Sequence, residues 1–251
     1  MPIRYDDAVP WGRNFTEYRH MFSLTDADLG RKILGCGDGP ASFNAHMSAH
    51  GRRVVSCDPL YQFSAHQIQQ RIDVTYQTVI EQTRLNASKF VWERIASPDE
   101  LGQIRKAAMA DFLADYPQGM SEGRYVVAEL PDLPFADQSF DIALCSHFLF
   151  LYSDNFPLEL HRQAIKAMCR VADEARIFPI LDYNANRSPF VDPLVSHFTQ
   201  AGYQVTIETV DYEFQRGGNQ MMRVSRLPMS AISLDSQNQR PHSISSATTP
   251  D

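Results

Sequence analysis

The strongest constraint on the fold is a rhythm: short apolar runs that read as buried strands alternate with segments that read as helices. Residues 31–34 form the first run, and a turn holding Gly35, Gly37 and Gly39 follows it. Phe43 and Met47 give the next segment an apolar helical side, and Gly51 stops it. Residues 53–58 form the second strand, closed by Asp58-Pro59. Strands are expected again at 125–129, 140–146 and 176–181, with helices over 158–171 and 190–201. Residues 203–214 alternate as a long strand does; 216–219 read as a hairpin turn and 220–226 as the returning strand. Strand–helix alternation implies a mostly parallel sheet with helices on both faces, and the terminal hairpin implies one reversed strand near an edge.

One stretch breaks the rhythm. Residues 64–119 show helices and no convincing strand. Ile68, Ile72, Tyr76, Val79 and Thr83 recur at helical spacing. Ser97-Pro98-Asp99-Glu100 reads as a capping box with proline at the first helical position, and Pro117 and Gly119 are expected to end that helix. An insertion this long after a second strand is expected to be a helical cap over a cleft. A further short helix is expected within 11–24. The segment 228–251, rich in Ser, Gln, Asn and Thr, reads as a disordered tail. The organisation expected is therefore one domain over 1–227, with the cap at about 64–119.

Composition narrows the partners. The 251 residues carry a net charge of −7 and no basic stripe, which disfavours a nucleic acid. The first residues lack the apolar run of a signal peptide, and no apolar stretch is long enough for a bilayer. Cys36, Cys57, Cys145 and Cys169 form no Cys-x-x-Cys pair, so reduced thiols in a cytoplasmic protein fit better than a disulfide framework. His46 and His50 lie one helical turn apart with no third ligand evident, so no metal is expected.

The chemistry concentrates at the carboxyl ends of the strands, where sheets of this kind bind ligands. Glycines let a backbone turn sharply and approach a ligand closely. A dinucleotide turn would space them Gly-x-Gly-x-x-Gly, whereas Pro40 and Ala41 follow Gly39 here. Asp58 ends the second strand about twenty residues beyond the turn, where a carboxylate accepts two ribose hydroxyls. An ordinary Asp-Pro turn is the bland alternative.

With these residues in hand, a resemblance emerges. Ile33-Leu34-Gly35-Cys36-Gly37-Asp38-Gly39, then Asp58, then Leu133-Pro134-Phe135-Ala136-Asp137-Gln138-Ser139-Phe140-Asp141 resembles class I S-adenosylmethionine-dependent methyltransferases of the small-molecule (UbiE-like) type. The resemblance implies a Rossmann-like methyltransferase sheet, S-adenosylmethionine as cofactor, and methyl transfer to a small-molecule acceptor. It places Gly35, Cys36, Gly37 and Gly39 at the methionyl part, and Asp58 with Pro59 at the ribose. Glu129, where the family usually has Asp, meets the adenine amino group, and Leu130 lies against the adenine ring. Ser146, ending the fourth strand, completes the cofactor set. His147 and Tyr152 follow, where family members place groups near the reactive methyl; His147 is the candidate catalytic residue, a packed core histidine being the competing reading. Asp182, Tyr183 and Asn184 are expected to face the same cleft.

One position departs from the family. It commonly has an acid two residues before the first glycine, and Ile33 stands there. Arg13, Tyr18 and Arg19 are candidates to grip the cofactor carboxylate. Ile33 is also what favours the alternative reading, a cofactor-binding or catalytically inactive methyltransferase-like module acting through a partner. A nucleotide-dependent oxidoreductase is a third reading, disfavoured by the glycine spacing.

Overall fold

The computed structural model describes residues 9–226. Two short helices, α1 (Phe15–Met21) and α2 (Asp26–Leu29), precede the sheet. Each begins at a side chain that satisfies backbone N–H groups: Asn14 and Thr25 form capping boxes with Glu17 and Asp28. Strand β1 (Ile33–Cys36) then runs through α3 (Phe43–Ala49) to β2 (Val54–Cys57). The insertion supplies α4 (Ala65–Leu85) and α5 (Pro98–Ser121), and β3 (Tyr125–Val126) follows. The remaining elements are β4 (Phe140–Ser146), α6 (Leu158–Val171), β5 (Ala172–Phe178), α7 (Val191–Gln200), β6 (Tyr203–Thr209) and β7 (Gln220–Arg226).

Among the described residues the strands form one sheet in the order β3-β2-β1-β4-β5-β7-β6. The first five are parallel, and β7 is antiparallel to both neighbours. The sheet is therefore mostly parallel with a reversed strand one in from the edge, as the sequence implies. Its two faces carry separate apolar clusters. Leu34 and Cys36 point into one, with α6 and α7; Ile33 points into the other, with α1 and α3. A third cluster joins α4 and α5 to β3 through Ile68, Ile72, Phe112, Tyr116 and Tyr125.

Several boundaries differ from the sequence reading. Gly35 and Cys36 belong to β1 rather than to the turn. Strand β3 stops at Val126, short of Glu129. Strand β5 begins at Ala172, directly where α6 ends, rather than at Arg176, so it also takes in the charged Asp173 and Glu174, and it stops at Phe178 rather than 181. Glu174 and Arg176 are tolerated in the interior because they pair with each other and with Arg223 and Asp28. Strand β6 ends at Thr209 rather than 214. Helix α5 does not end at Pro117 but continues to Ser121. Proline removes a single helical bond so near the end. Gly119 stays within the helix, and the Tyr125 ring occupies the space a Cβ there would fill. The capping box at Ser97 is also only half formed: Ser97 accepts from Glu100, but the Glu100 carboxylate takes the N–H of Ala96. The tail read at 228–251 lies outside the described residues.

The insertion crosses the sheet. It leaves β2 at Asp58 and meets the β6–β7 loop, which follows the carboxyl end of β6. Since β6 runs parallel to β5, both points lie at the same, carboxyl end of the parallel strands. There Val91 donates to the Phe214 carbonyl (2.8 Å) and Arg216 to that of Lys89 (2.9 Å). The Phe90 ring stacks on Phe214 at 4.8 Å, Trp92 meets it edge-on at 5.4 Å, and Arg94 pairs with Asp211.

Candidate active site

At the end of β1 the chain turns through Gly37 and Gly39, at φ of +66° and +54°, a region that side chains disfavour. A Cβ on Gly39 would meet nothing within 4 Å, so the backbone there faces open space. A Cβ on Gly37 would crowd the Phe148 ring at 3.3 Å, adding to the strain of its positive φ. Asp58 ties the turn to β2. One carboxylate oxygen accepts from the Gly39 N–H (2.8 Å) and the other from that of Leu60 (2.7 Å). Pro59 opens the single-turn helix 59–62, whose Tyr61 hydroxyl donates to the Gly39 carbonyl.

Two carboxyl groups near the turn titrate late. Burial pushes Asp58 up to about 6, against the pull of its two backbone bonds, and the charge of Glu129 adds to the rise. Burial likewise raises Asp38 to about 6, with the charge of Asp58 contributing. Asp38 lies beneath the turn, where a Cβ on Gly35 would overlap its carboxylate, and accepts from Tyr18 (2.8 Å) and Ser56 (2.6 Å). Sequence reasoning passed over Asp38; an acid inside a glycine turn was the available signal. Ile33, at the usual acidic position, is fully buried in the apolar cluster of α1 and α3.

Glu129 is exposed and bridges to Asp132 in a tight loop. Its electrostatic effect on Asp58 places the two acids near one another. Leu130 is buried in the same cluster as Cys57 and Leu133.

Ser146 ends β4, and its hydroxyl lies 2.9 Å from His147 Nδ1. His147 has φ of +50°, donates its N–H to the Phe178 carbonyl (2.6 Å), and sets its ring edge-on to Phe178 at 5.3 Å. Burial, reinforced by the charges of Arg13 and Arg105, holds its pKa well below the usual histidine range. The imidazole is neutral at neutral pH, able to accept a proton only weakly. Tyr152 is partly exposed, and burial and Tyr183 raise its pKa while Arg13 lowers it. Asp182 spends one carboxylate oxygen on the N–H groups of Asn184 and Asn186, which accounts for it as a loop-former.

The structure separates the three gripping candidates. Arg19 is exposed and pairs with Asp26. Tyr18 is committed to Asp38. Arg13 faces inward, held above the glycine turn: its carbonyl accepts from Ser42, and Gly12 beside it packs against the Pro40 carbonyl where a Cβ would clash. Its Nε is buried with no protein partner. The neighbouring Glu17 carboxylate is already taken by Arg105, Tyr212 and the Asn14 N–H. Burial, then Arg105, lowers the Arg13 pKa, yet a guanidinium stays charged. His46 and His50 stack on each other at 4.3 Å on the exposed side of α3. Among the described residues no three ligating side chains are placed to hold a metal.

The site thus joins a glycine turn, an acid ending the second strand and a further acid beyond the third, on a sheet ordered as in Rossmann-like methyltransferases. A family model described as a methyltransferase domain matches residues 102–175. The chain is also 32% identical over 225 residues to an uncharacterized protein of Methanocaldococcus jannaschii, covering 89% of this chain and 99% of that one. The chain belongs to the family of that archaeal protein, and its methyltransferase domain marks it as a class I S-adenosylmethionine-dependent methyltransferase. It is an enzyme whose cofactor is S-adenosylmethionine. More distant likenesses include the magnesium protoporphyrin IX methyltransferase of Synechocystis PCC 6803 with bound cofactor: 13% identity, 80% of this chain, 73% of that chain, TM-score 0.42. Another is a Thermotoga maritima protein described as a possible histamine N-methyltransferase: 13% identity, 84% of this chain, 86% of that chain, TM-score 0.40.

Proposed function

We propose that this enzyme methylates a small-molecule acceptor held beneath the cap formed by the insertion. The observation that carries the reading is the contact between that cap and the β6–β7 loop, across the end of the sheet where the glycine turn lies. A cap across that end of the sheet suits a small acceptor, and the net charge of −7 disfavours a polyanionic one.

The residues present fit the cofactor. Open space over Gly39, the Asp58 carboxylate and the unpartnered Arg13 Nε match a ligand with a backbone-contacting chain, ribose hydroxyls and a carboxylate. Gly35, Cys36, Gly37 and Gly39 would border the methionyl part, and Arg13 would pair with its carboxylate. Asp58 and Pro59 would hold the ribose, Glu129 the adenine amino group and Leu130 the ring face. When bound, S-adenosylmethionine supplies an already activated methyl group. The protein's own work is alignment and exclusion of water. Ser146 fixes the His147 ring, and neutral His147 orients the acceptor or takes its proton.

Ile33 favours a second reading, a module that binds cofactor and acts through a partner. Asp38 weighs against it, because Ile33 and Gly35 share one face of β1 and the Asp38 carboxylate lies against Gly35. The buried, unpaired Cys36, Cys57, Cys145 and Cys169 support a reducing, cytoplasmic setting. A turnover screen of metabolites, tRNA and protein with a labelled methyl donor tests the proposal. Turnover of a small molecule supports it; turnover of tRNA or protein alone refutes it.

A further inference from the structure

A cavity of about 330 Å³ lies between the cap and the body, apart from the residues assigned to the cofactor. Val91 and Ile95 of the cap, Ile104 of α5, and Tyr212 and Phe214 of the β6–β7 loop give it a mainly apolar wall. That volume is at the lower end for small-molecule sites, which are concave, mainly apolar and oriented by a few polar groups.

Its charged neighbours are already engaged. Glu17, at its floor, accepts from Arg105, Tyr212 and Asn14. Arg94 pairs with Asp211, and His20 faces the same carboxylate at 4.0 Å. The remaining rim charge is negative: Glu213, which accepts from the Gly217 N–H. An anion would meet that carboxylate, and the basic lining residues Arg94 and His20 already face Asp211. The Asn14 side-chain amide and the Thr16 hydroxyl lie at the edge, where they can orient one polar substituent.

Two buried rings, Tyr212 and Phe178, link the cavity to the reacting side. Tyr212, in its wall, meets the Phe178 ring edge-on at 5.7 Å, and His147 meets the same ring at 5.3 Å. Asn14, which lines it, directly follows Arg13, whose charge acts on His147. One aromatic ring thus stands between the cavity wall and the candidate catalytic histidine.

We infer that this cavity receives the body of the acceptor, and that the acceptor is a neutral, largely apolar one- or two-ring molecule bearing one hydrogen-bonding substituent. The assignment rests on the methyl-transfer reading and adds to it a place and a substrate class.

The test uses the full chain saturated with S-adenosylhomocysteine. 2-Naphthol is the probe, 2-naphthoate its anionic counterpart of similar shape. Calorimetry should show 2-naphthol binding and 2-naphthoate binding about tenfold or more weaker. Ile104→Trp, which fills the cavity, should weaken 2-naphthol about tenfold or more while leaving the S-adenosylhomocysteine affinity within about twofold. Val91→Phe fills it from the cap side and should do the same, so the test survives if one variant fails to fold. Intermolecular nuclear Overhauser effects should connect bound 2-naphthol with the bound cofactor product. No 2-naphthol binding, equal binding of the anion, indifference to both filling substitutions, or absence of those effects would overturn the inference. A failure of the methyl-transfer reading is distinguishable: either S-adenosylhomocysteine does not bind before any probe is added, or it binds and no acceptor in the metabolite screen is methylated, whatever 2-naphthol does.

Discussion

Arg105 of α5 grips Glu17 of α1 with two guanidinium nitrogens, across 88 positions of sequence and almost wholly out of solvent. The pair ties the insertion to the first helix, and Tyr212 of the β6–β7 loop joins it through Glu17. Removing one partner of a buried pair strands the other charge. Arg105→Met should therefore cost about 3–5 kcal/mol of stability. The double variant Arg105→Met, Glu17→Gln should recover much of that loss in denaturant titrations. Burial would raise the Glu17 pKa, but the charge and hydrogen bonds of Arg105 reverse this and leave it lowered. The contribution of Glu17 is thus present above the ordinary glutamate pKa and is lost as pH falls through the lowered value.

The cap should open locally before the sheet does. Its grip on the β6–β7 loop consists of two backbone bonds, the aromatic group around Phe214 and an exposed ion pair. Trp92→Ala removes an aromatic contact and the bond from its indole N–H to the Ala87 carbonyl. Hydrogen exchange should then quicken across residues 86–96 with the β1–β4–β5 core unchanged. Uniform quickening, or none, would count against a separately opening cap.

His147→Ala should lower turnover while leaving cofactor affinity nearly intact, as expected of a group that handles the acceptor. Since its pKa lies well below the ordinary value, no step in the rate near pH 6.5 should come from His147. Equal loss of cofactor affinity would move this residue to the cofactor.

Cofactor affinity should itself depend on pH. Asp58 titrates at about 6, raised chiefly by burial. For a carboxyl raised in the fold, the stability it contributes is present below its ordinary pKa and lost as pH rises through about 6. The ionised form is the better acceptor for ribose hydroxyls, so affinity should change in the opposite direction and strengthen with rising pH. S-adenosylhomocysteine should bind about tenfold more weakly at pH 5 than at pH 7.5. In Asp58→Asn the step should shrink to what Asp38 contributes. A pH-independent affinity would show that the charge of Asp58 is not used.

The legible parts of the fold were those written in local pattern. Strand β4 and helix α6 lie where uninterrupted apolar runs and helical spacing put them, and β7 follows its glycine turn. The glycine turn and Asp58 were legible because backbone conformation and strand ends leave marks in sequence. Pro117 misled, since a helix tolerates a proline whose lost bond lies near its end. The start of β5 was hidden because Asp173 and Glu174 look like surface residues until the buried partners of Glu174 are known. Arg105–Glu17 and the contact of residues 89–94 with 211–216 depend on distant parts of the chain, which no local spacing encodes. Asp38 was missed because its role depends on a hydroxyl from α1 and another from β2.

The central claim, that S-adenosylmethionine binds at the glycine turn with Asp58 as its ribose anchor, is tested most directly by calorimetry on the full chain. S-adenosylhomocysteine should bind at one site per chain, and NAD should not. Asp58→Ala should remain folded and lose about tenfold to a hundredfold in affinity, the worth of charge-assisted hydrogen bonds to a bound ligand. Unchanged affinity in the folded variant, or preferential binding of NAD, would contradict the account.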